Sequence, residues 1–370
     1  MSSRLHPDPT IAIGGHVARG RGATANHTSA RFRLPERQAD GDWLDQAAAI
    51  DGAPPKLRTH VSMLAARTIL SRNTSPDIPF DRSINAYQGC EHGCIYCYAR
   101  PTHAYHDLSP GIDFETRLFA KPDAAKLLRR ELAARSYRPA PIAMGTNTDP
   151  YQPIEGHYRL TRQILEVCAE TRHPVTITTK SARICDDIDL IADMARDNLI
   201  AVQISVTTLD ARLSSTLEPR ASTPERRIDA IARLVAAGVH VGVNVSPIIP
   251  AITDQYIEAI IARAAQAGAR SASWIMIRLP HEVAPLFRTW LQTHFPDRAD
   301  KVMATIQSMR QGRDNDPAFF TRMKPQGVWA DLVRTRFRIA RQRSGIPQER
   351  ANLDCSQFRP PALDGQLTLF

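Results

Sequence analysis

Between residues 114 and 279, short apolar runs alternate with amphipathic stretches of ten to fifteen residues. The runs at 141–145, 175–179, 200–206, 239–245 and 273–279 are short and mostly rich in β-branched side chains, which predicts strands. Helices are predicted over 122–135, 159–171, 186–196, 223–237 and 254–267. Pro122 suits a first helical turn because its missing N–H needs no partner there. Early aspartates suit the N-terminal dipole of 186–196, and Gly238 and Gly268 are natural helix C-caps. Ahead of these units, 66–70 and 83–87 read as short strands, with Pro76 and Pro79 breaking any helix between them. A further strand at 114–120 stands outside the alternation. With 84–87 counted first, six near-continuous apolar strands separated by helices predict βαβ units and a parallel sheet buried on both faces. The periodicity alone fits a partial barrel, a closed eight-stranded barrel or an open doubly wound sheet.

Beyond residue 279 the strands stop. Helices are predicted over 282–294, 297–309 and 328–343, and 344–365, with Pro347, Pro360, Pro361 and Gly365, reads as an extended tail. Residues 1–55 show no sustained period and read as a flexible arm, with a short helix through 42–50. The chain thus divides into an N-terminal arm (1–64), a barrel core (65–280), a helical extension (281–343) and a tail (344–370). Its 370 residues, 43% hydrophobic and 23% charged, are ordinary for a soluble globular protein. No apolar run approaches the ~20 residues that span a bilayer, and the start lacks the apolar core of a secretory signal. A cytoplasmic, reducing location is expected, with Cys168, Cys185 and Cys355 as buried or free thiols. The net charge of +9 is concentrated in 310–343, where nine Lys/Arg face three aspartates. Such a segment is either a nucleic-acid contact or a solvated helix face.

The chemistry centres on Gly89-Cys90-Glu91-His92-Gly93-Cys94-Ile95-Tyr96-Cys97-Tyr98. Its Cys-x3-Cys-x2-Cys spacing offers three thiolates, one short of the four that close an ordinary cubane iron–sulfur cluster, so one iron stays open to an outside ligand. A structural zinc site is the alternative, with His92, His103 or His106 as fourth ligand. Predicted strand ends supply further candidates. Gly145, Asn147, Thr148 and Asp149 follow the second core strand, where glycine and small hydroxyl residues admit a ligand closely. Lys180 ends the next strand. Ser205, Glu218, Arg220, Asn244 and Ser246 lie at or past later ones.

The cysteine motif with Tyr96 and Tyr98, the Thr-Asp-Pro-Tyr-Gln-Pro-x-Glu run at 148–155 and Lys180 at a strand end together resemble the spore photoproduct lyase-like branch of the radical S-adenosylmethionine (SAM) enzymes. The similarity covers roughly residues 65–280. It implies an α/β fold, a partial (β/α)6 TIM-like barrel, with a [4Fe–4S] cluster on Cys90, Cys94 and Cys97. It implies that Thr148, Lys180 and Ser205 help bind SAM; Tyr96, Gly145, Asn147, Asp149, Glu218 and Asn244 stand beside them as further candidate cofactor contacts. Tyr96 and Tyr98 become catalytic candidates. Reduction by an external one-electron donor of flavodoxin or ferredoxin type would cleave SAM to methionine and a 5′-deoxyadenosyl radical that abstracts hydrogen from substrate. The lyase proper returns a hydrogen atom from a cysteine after the second strand. Thr146 stands at that position here, and its O–H bond is too strong for the task, so the substrate need not be a thymine dimer.

The terminal Gln366-Leu367-Thr368-Leu369-Phe370 resembles the bacterial sliding-clamp-binding pentapeptide, behind a Pro-containing tail and a basic helix. Three functions fit these features. One is a radical SAM enzyme acting on a nucleic-acid lesion or modified base in a DNA repair-like role. The second is such an enzyme acting on a protein or small molecule. The third is a non-catalytic clamp- or DNA-associated metal-binding protein.

Overall fold

The computed structural model describes residues 20–24, 26, 27, 29, 31, 57–347 and 351–362. Its strands are, in chain order, β1 (His60–Met63), β2 (Leu70–Arg72), β3 (Arg82–Ile84), β4 (Tyr87–Gln88), β5 (Arg117–Ala120), β6 (Ile142–Met144), β7 (Val175–Thr179), β8 (Ile200–Ser205), β9 (His240–Ile248) and β10 (Ser271–Met276). One seven-stranded sheet runs β10-β9-β8-β7-β6-β3-β2. Its strands from β3 to β10 pair in parallel, and β2 lies antiparallel on the β3 edge. The parallel strands follow one another in sequence order. A doubly wound sheet would reverse that order at a switch point, so the winding is that of a barrel. β2 and β10 remain edges and the barrel stays partial, as the family resemblance implies.

Helices such as Leu160–Glu170, Pro224–Ala236 and Ile257–Gln266 cover the outer face, where Val175, Ile177, Val202, Ile204, Val241 and Val243 are fully buried. The inner face is not apolar, in contrast to the predicted continuous runs. Thr178 pairs with Gln203, Gln203 with Gly242, and Gly242 with Ser271; one layer up, Ser205 pairs with Asn244 and Asn244 with Ser273. Side chains alternate faces along a strand, so these polar residues point inward together. Gln203 reaches across Gly242 to Ser271 Oγ at 3.2 Å, and a Cβ at Gly242 would collide with both. The lumen is built for a polar occupant.

Other expectations shift locally. The strand expected over 83–87 divides into β3 and β4, which join different sheets. The first half of 114–120 is a helical turn, Asp113–Thr116, and only β5 is extended. β5 pairs with β1 and β4 in a small separate sheet, outside the barrel as anticipated. The helices Val283–His294, Ala299–Ser308 and Val328–Arg343 form the C-terminal extension. Residues 351–362 carry no regular structure yet dock on the barrel, where Arg359 N–H donates to Thr171 O and Phe358 packs on Tyr137 and His173. Among the described residues no helix is long and apolar enough to cross a membrane. The pentapeptide 366–370 lies outside the described residues.

Candidate active site at the barrel mouth

The cysteine loop sits where the parallel strands end, the face that carries chemistry in parallel barrels. Gly89 and Gly93 both adopt positive φ, and side chains there would strike Leu118 and Glu115. Cys90 N–H donates to Phe114 O at 2.9 Å, and Ile95 N–H to Leu217 O at 3.1 Å. Beneath the loop lies Arg100, wholly buried. It donates to the carbonyls of Cys94, Gly93, Pro110 and Gly111 and to Glu115 Oε1 at 2.5 Å. Glu115, equally buried, also accepts from the Gly22 and Ala23 amides at 3.0 and 2.8 Å. Arg21 donates to Glu115 O and Leu57 O. Residues 20–24, placed by the sequence in a flexible arm, are thus a strap bound under the loop. Sequence reasoning missed Arg21, Arg100 and Glu115: Arg21 reaches Glu115 from 94 residues away, and the Arg100–Glu115 pair, though nearby in sequence, carries no spacing signal of its own.

Strand-end residues close the sides. Gly145 has φ +91°, and a Cβ there would overlap Thr178 O. Thr148 Oγ1 donates to Gly89 O at 2.7 Å and accepts from Gln152, so it ties the second strand's end to the loop. Asp149 accepts from Thr179 Oγ1 at 2.6 Å and Lys180 N–H at 2.8 Å, and lies 3.3 Å from His92 Nδ1. Burial alone would raise its carboxyl, but His92 and these donors outweigh it and hold it at about 2. Tyr96 donates from its hydroxyl to Glu218, which also accepts from Thr207 and from buried Arg227. Arg227 in turn donates to Ser205 O at 3.1 Å. Lys180 Nζ stands over the Tyr96 ring at 5.8 Å, a cation–π contact. Asn244 Oδ1 meets Ser273 Oγ at 3.3 Å.

The predicted residues therefore converge on one region but divide by condition. Thr148, Asp149 and Glu218 already have protein partners, whereas among the described residues the Lys180 ammonium makes no hydrogen bond or ion pair and stands over the Tyr96 ring, near the Cys94 thiol. Ser205 and Asn244 face the lumen. Asn147 N–H donates to Asn85 Oδ1 at 2.9 Å. The half-exposed Tyr98 donates from its hydroxyl to the carbonyl of Thr146.

The donor set fits a cationic iron–sulfur cluster. Burial pushes the Cys90 and Cys94 thiols up, and Asp149 and the other two cysteines raise Cys90 further. Three thiolates in one pocket repel each other, and a metal cluster supplies the compensating charge. Among the described residues no three Cys, His, Asp or Glu side chains converge as they would on a single ion. In a cubane each thiolate binds a different iron, so convergence on one point is not needed. The histidines proposed for zinc are engaged elsewhere. His92 faces Asp149, His103 Nε2 meets Arg117 O at 2.8 Å, and His106 Nε2 meets Gln88 at 2.5 Å. Burial lowers His103 to about 4, keeping it neutral. Cys168 and Cys185 are buried away from solvent, as small hydrophobes.

Comparison with known proteins agrees with this geometry. The sequence pattern of the radical SAM superfamily matches residues 84–264. An uncharacterized protein of Mycobacterium tuberculosis is 36% identical over 222 residues, 60% of this chain and 65% of that protein. The match thus spans just under two thirds of that relative's length. A "radical SAM Nalpha-GlyT isomerase" of Pseudomonas phage M6 is 26% identical over 60% of this chain and 44% of its own. Among solved structures, a spore photoproduct lyase variant with dinucleoside spore photoproduct aligns over 85% of this chain and 88% of its own, with TM-score 0.53 and 13% identity. That likeness is one of fold. The match over residues 84–264 is to the radical SAM superfamily, enzymes that use a [4Fe–4S] cluster together with SAM.

Proposed function

We propose that Cys90, Cys94 and Cys97 hold the [4Fe–4S] cluster, and that Lys180, Ser205 and Asn244, with Tyr96 beside them, line the SAM site. We propose further that the enzyme acts on a nucleic-acid lesion or modified base. The observation that carries the reading is the three-cysteine loop seated at the mouth of a six-stranded parallel barrel with a polar lumen. When bound, the cluster supplies an electron that cleaves SAM to methionine and a 5′-deoxyadenosyl radical able to take hydrogen from substrate. The chain's own residues then do the rest. Arg100 and Glu115 fix the loop, Lys180 presents a cation to a carboxylate, and the lumen hydroxyls and amides orient a polar ligand away from bulk water. The electron comes from an external donor, as radical SAM enzymes generally require, here a flavodoxin- or ferredoxin-type protein.

The nucleic-acid reading rests on charge. Within 310–343, Arg322 pairs with Asp77, Arg334 with Asp331 and Arg336 with Glu258, while Arg310 is buried. Lys324, Arg338 and Arg343 remain exposed. The net excess is smaller at the surface than in the sequence, but it persists.

Anaerobic reconstitution tests the reading. The wild-type chain should take up iron and sulfide, show the visible absorption of a [4Fe–4S] cluster, and form 5′-deoxyadenosine from SAM on reduction. Cys94→Ala should lose all three. A wild-type chain without cluster, or a Cys94→Ala variant that keeps it, would sink the assignment. Damaged or modified DNA should raise the 5′-deoxyadenosine yield, and an unchanged yield would count against the substrate.

A further inference from the structure

The last barrel strand ends at Met276, and two residues on stands Arg278. Its surroundings are unusual for a guanidinium. One Nη donates only to the thioether of Met323, at 3.4 Å, a weak acceptor, and its Nε is buried with no partner. Among the described residues no carboxylate pairs with it directly, and Asp77 and Asp316 act on it only at longer range. Arg322, beside it, spends its fork on Asp77 at 2.5 and 2.7 Å. Arg310 spends its fork on Ile277 O and Arg322 O, and its Nε too is unpartnered. Three arginines therefore crowd one edge, with Asp77 bound to only one of them. Burial disfavours the Arg278 charge, and repulsion from Arg322 adds to it.

Aromatic side chains stand in the same patch. Tyr98, next to Cys97 in sequence and about half exposed, is near enough to Arg278 for the guanidinium to act on its phenol. Phe319 packs its ring under Arg322 at 4.8 Å, and both Phe319 and Phe320 expose about half their surface. Exposed rings interleaved with cations at a catalytic mouth are the makings of a nucleotide platform, where bases stack and phosphates meet arginine.

We infer that the rim formed by Tyr98, Arg278, Phe319 and Phe320 binds the nucleotide part of the substrate, with Arg278 receiving a phosphate. The inference rests on the proposed radical SAM reading and specifies its substrate class. An incoming phosphate meets the Nη edge of the partly exposed guanidinium, which holds only a weak thioether acceptor, and forms a charge-assisted pair there. The stacked base is then held next to Tyr98, alongside the cysteine loop.

Binding is measured by fluorescence anisotropy on the reconstituted full chain, against salt, with three probes: a labelled single-stranded oligonucleotide, thymidine monophosphate as competitor, and a labelled polyglutamate peptide. The wild type should bind the oligonucleotide with affinity falling as salt rises. Arg278→Gln should weaken binding about tenfold and reduce the salt slope by about one phosphate contact. Arg278→Lys should recover part of the slope but less of the affinity, because the planar fork is lost. Displacement by the monophosphate would identify a mononucleotide site, and failure to displace would identify a strand site; either supports the rim. Binding of the peptide in place of the oligonucleotide would overturn it, as would oligonucleotide binding indifferent to Arg278→Gln, or none at all. Thermal midpoints of both variants separate loss of the site from loss of the fold. Formation of 5′-deoxyadenosine by the wild type without substrate checks the underlying reading separately.

Discussion

The floor under the cysteine loop and the rim beside it both depend on an arginine drawn out of water, wholly buried on the floor and partly on the rim, and they treat it in opposite ways. Arg100 on the floor has every donor group met, by four loop carbonyls and Glu115. Arg278 on the rim has a thioether and a buried Nε with no acceptor. Charge removed from water must be compensated or it costs free energy. On the floor the compensation is internal, so the charge belongs to the scaffold. On the rim it is missing, so the charge is poised for a ligand. Two similar guanidiniums thus separate the part of the site that must not move from the part that waits.

The largest effect should come from breaking the floor. Glu115→Ala leaves Arg100 as an uncompensated buried charge and strips the Gly22 and Ala23 amides of their acceptor. Removing one partner of such a pair costs about 3–5 kcal/mol. The thermal midpoint of the cluster-free protein should fall by several degrees, with iron uptake falling too. An unchanged midpoint would show that the ion pair does not hold the loop. A smaller effect is expected from the strap. A Cβ at Gly22 would overlap the Gly93 carbonyl oxygen, so Gly22→Ala must push the strap off the loop. Overpacking of this kind costs about 1–3 kcal/mol. Hydrogen exchange should rise at 93–95 while the barrel helices stay protected, and uniform protection would mean that the strap is dispensable.

The contrast between floor and rim also explains what could be read from the chain beforehand. The strand succession was legible because each βαβ unit is local, and the cysteine spacing carries its chemistry within eight residues. The polar lumen was present as Thr176/Thr178, Gln203/Ser205, Asn244 and Ser273, but their alternation was hidden inside runs read as continuously apolar. The strap was not legible at all. Arg21-Gly22-Ala23 has no period, and its partner Glu115 lies more than ninety residues away, inside what reads as a strand. Arg278 was likewise absorbed into the strand expected at 273–279. Neither its position past β10 nor its lack of an acceptor follows from sequence. Both need the fold, because an unmet donor is defined by what the rest of the chain fails to bring to it.

The smallest stability effect should be at the rim, and it is the sharpest test of the comparison. Arg278→Gln removes a charge that no carboxylate pairs with directly, Asp77 and Asp316 favouring it only at longer range, so little protein–protein interaction is lost. Burial already works against the ionised guanidinium, and Arg322 repels it. Relief of that cost offsets the lost contact with Met323, and the change in unfolding free energy should stay within about 0.5 kcal/mol, the range of substitutions away from structural features. The same variant should lose oligonucleotide affinity about tenfold, so stability and binding would move independently. Glu115→Ala should couple them, since a displaced loop harms both fold and cluster. If Arg278→Gln instead unfolds the protein as readily as Glu115→Ala does, the two arginines play the same structural part and the rim is scaffold, not a binding surface.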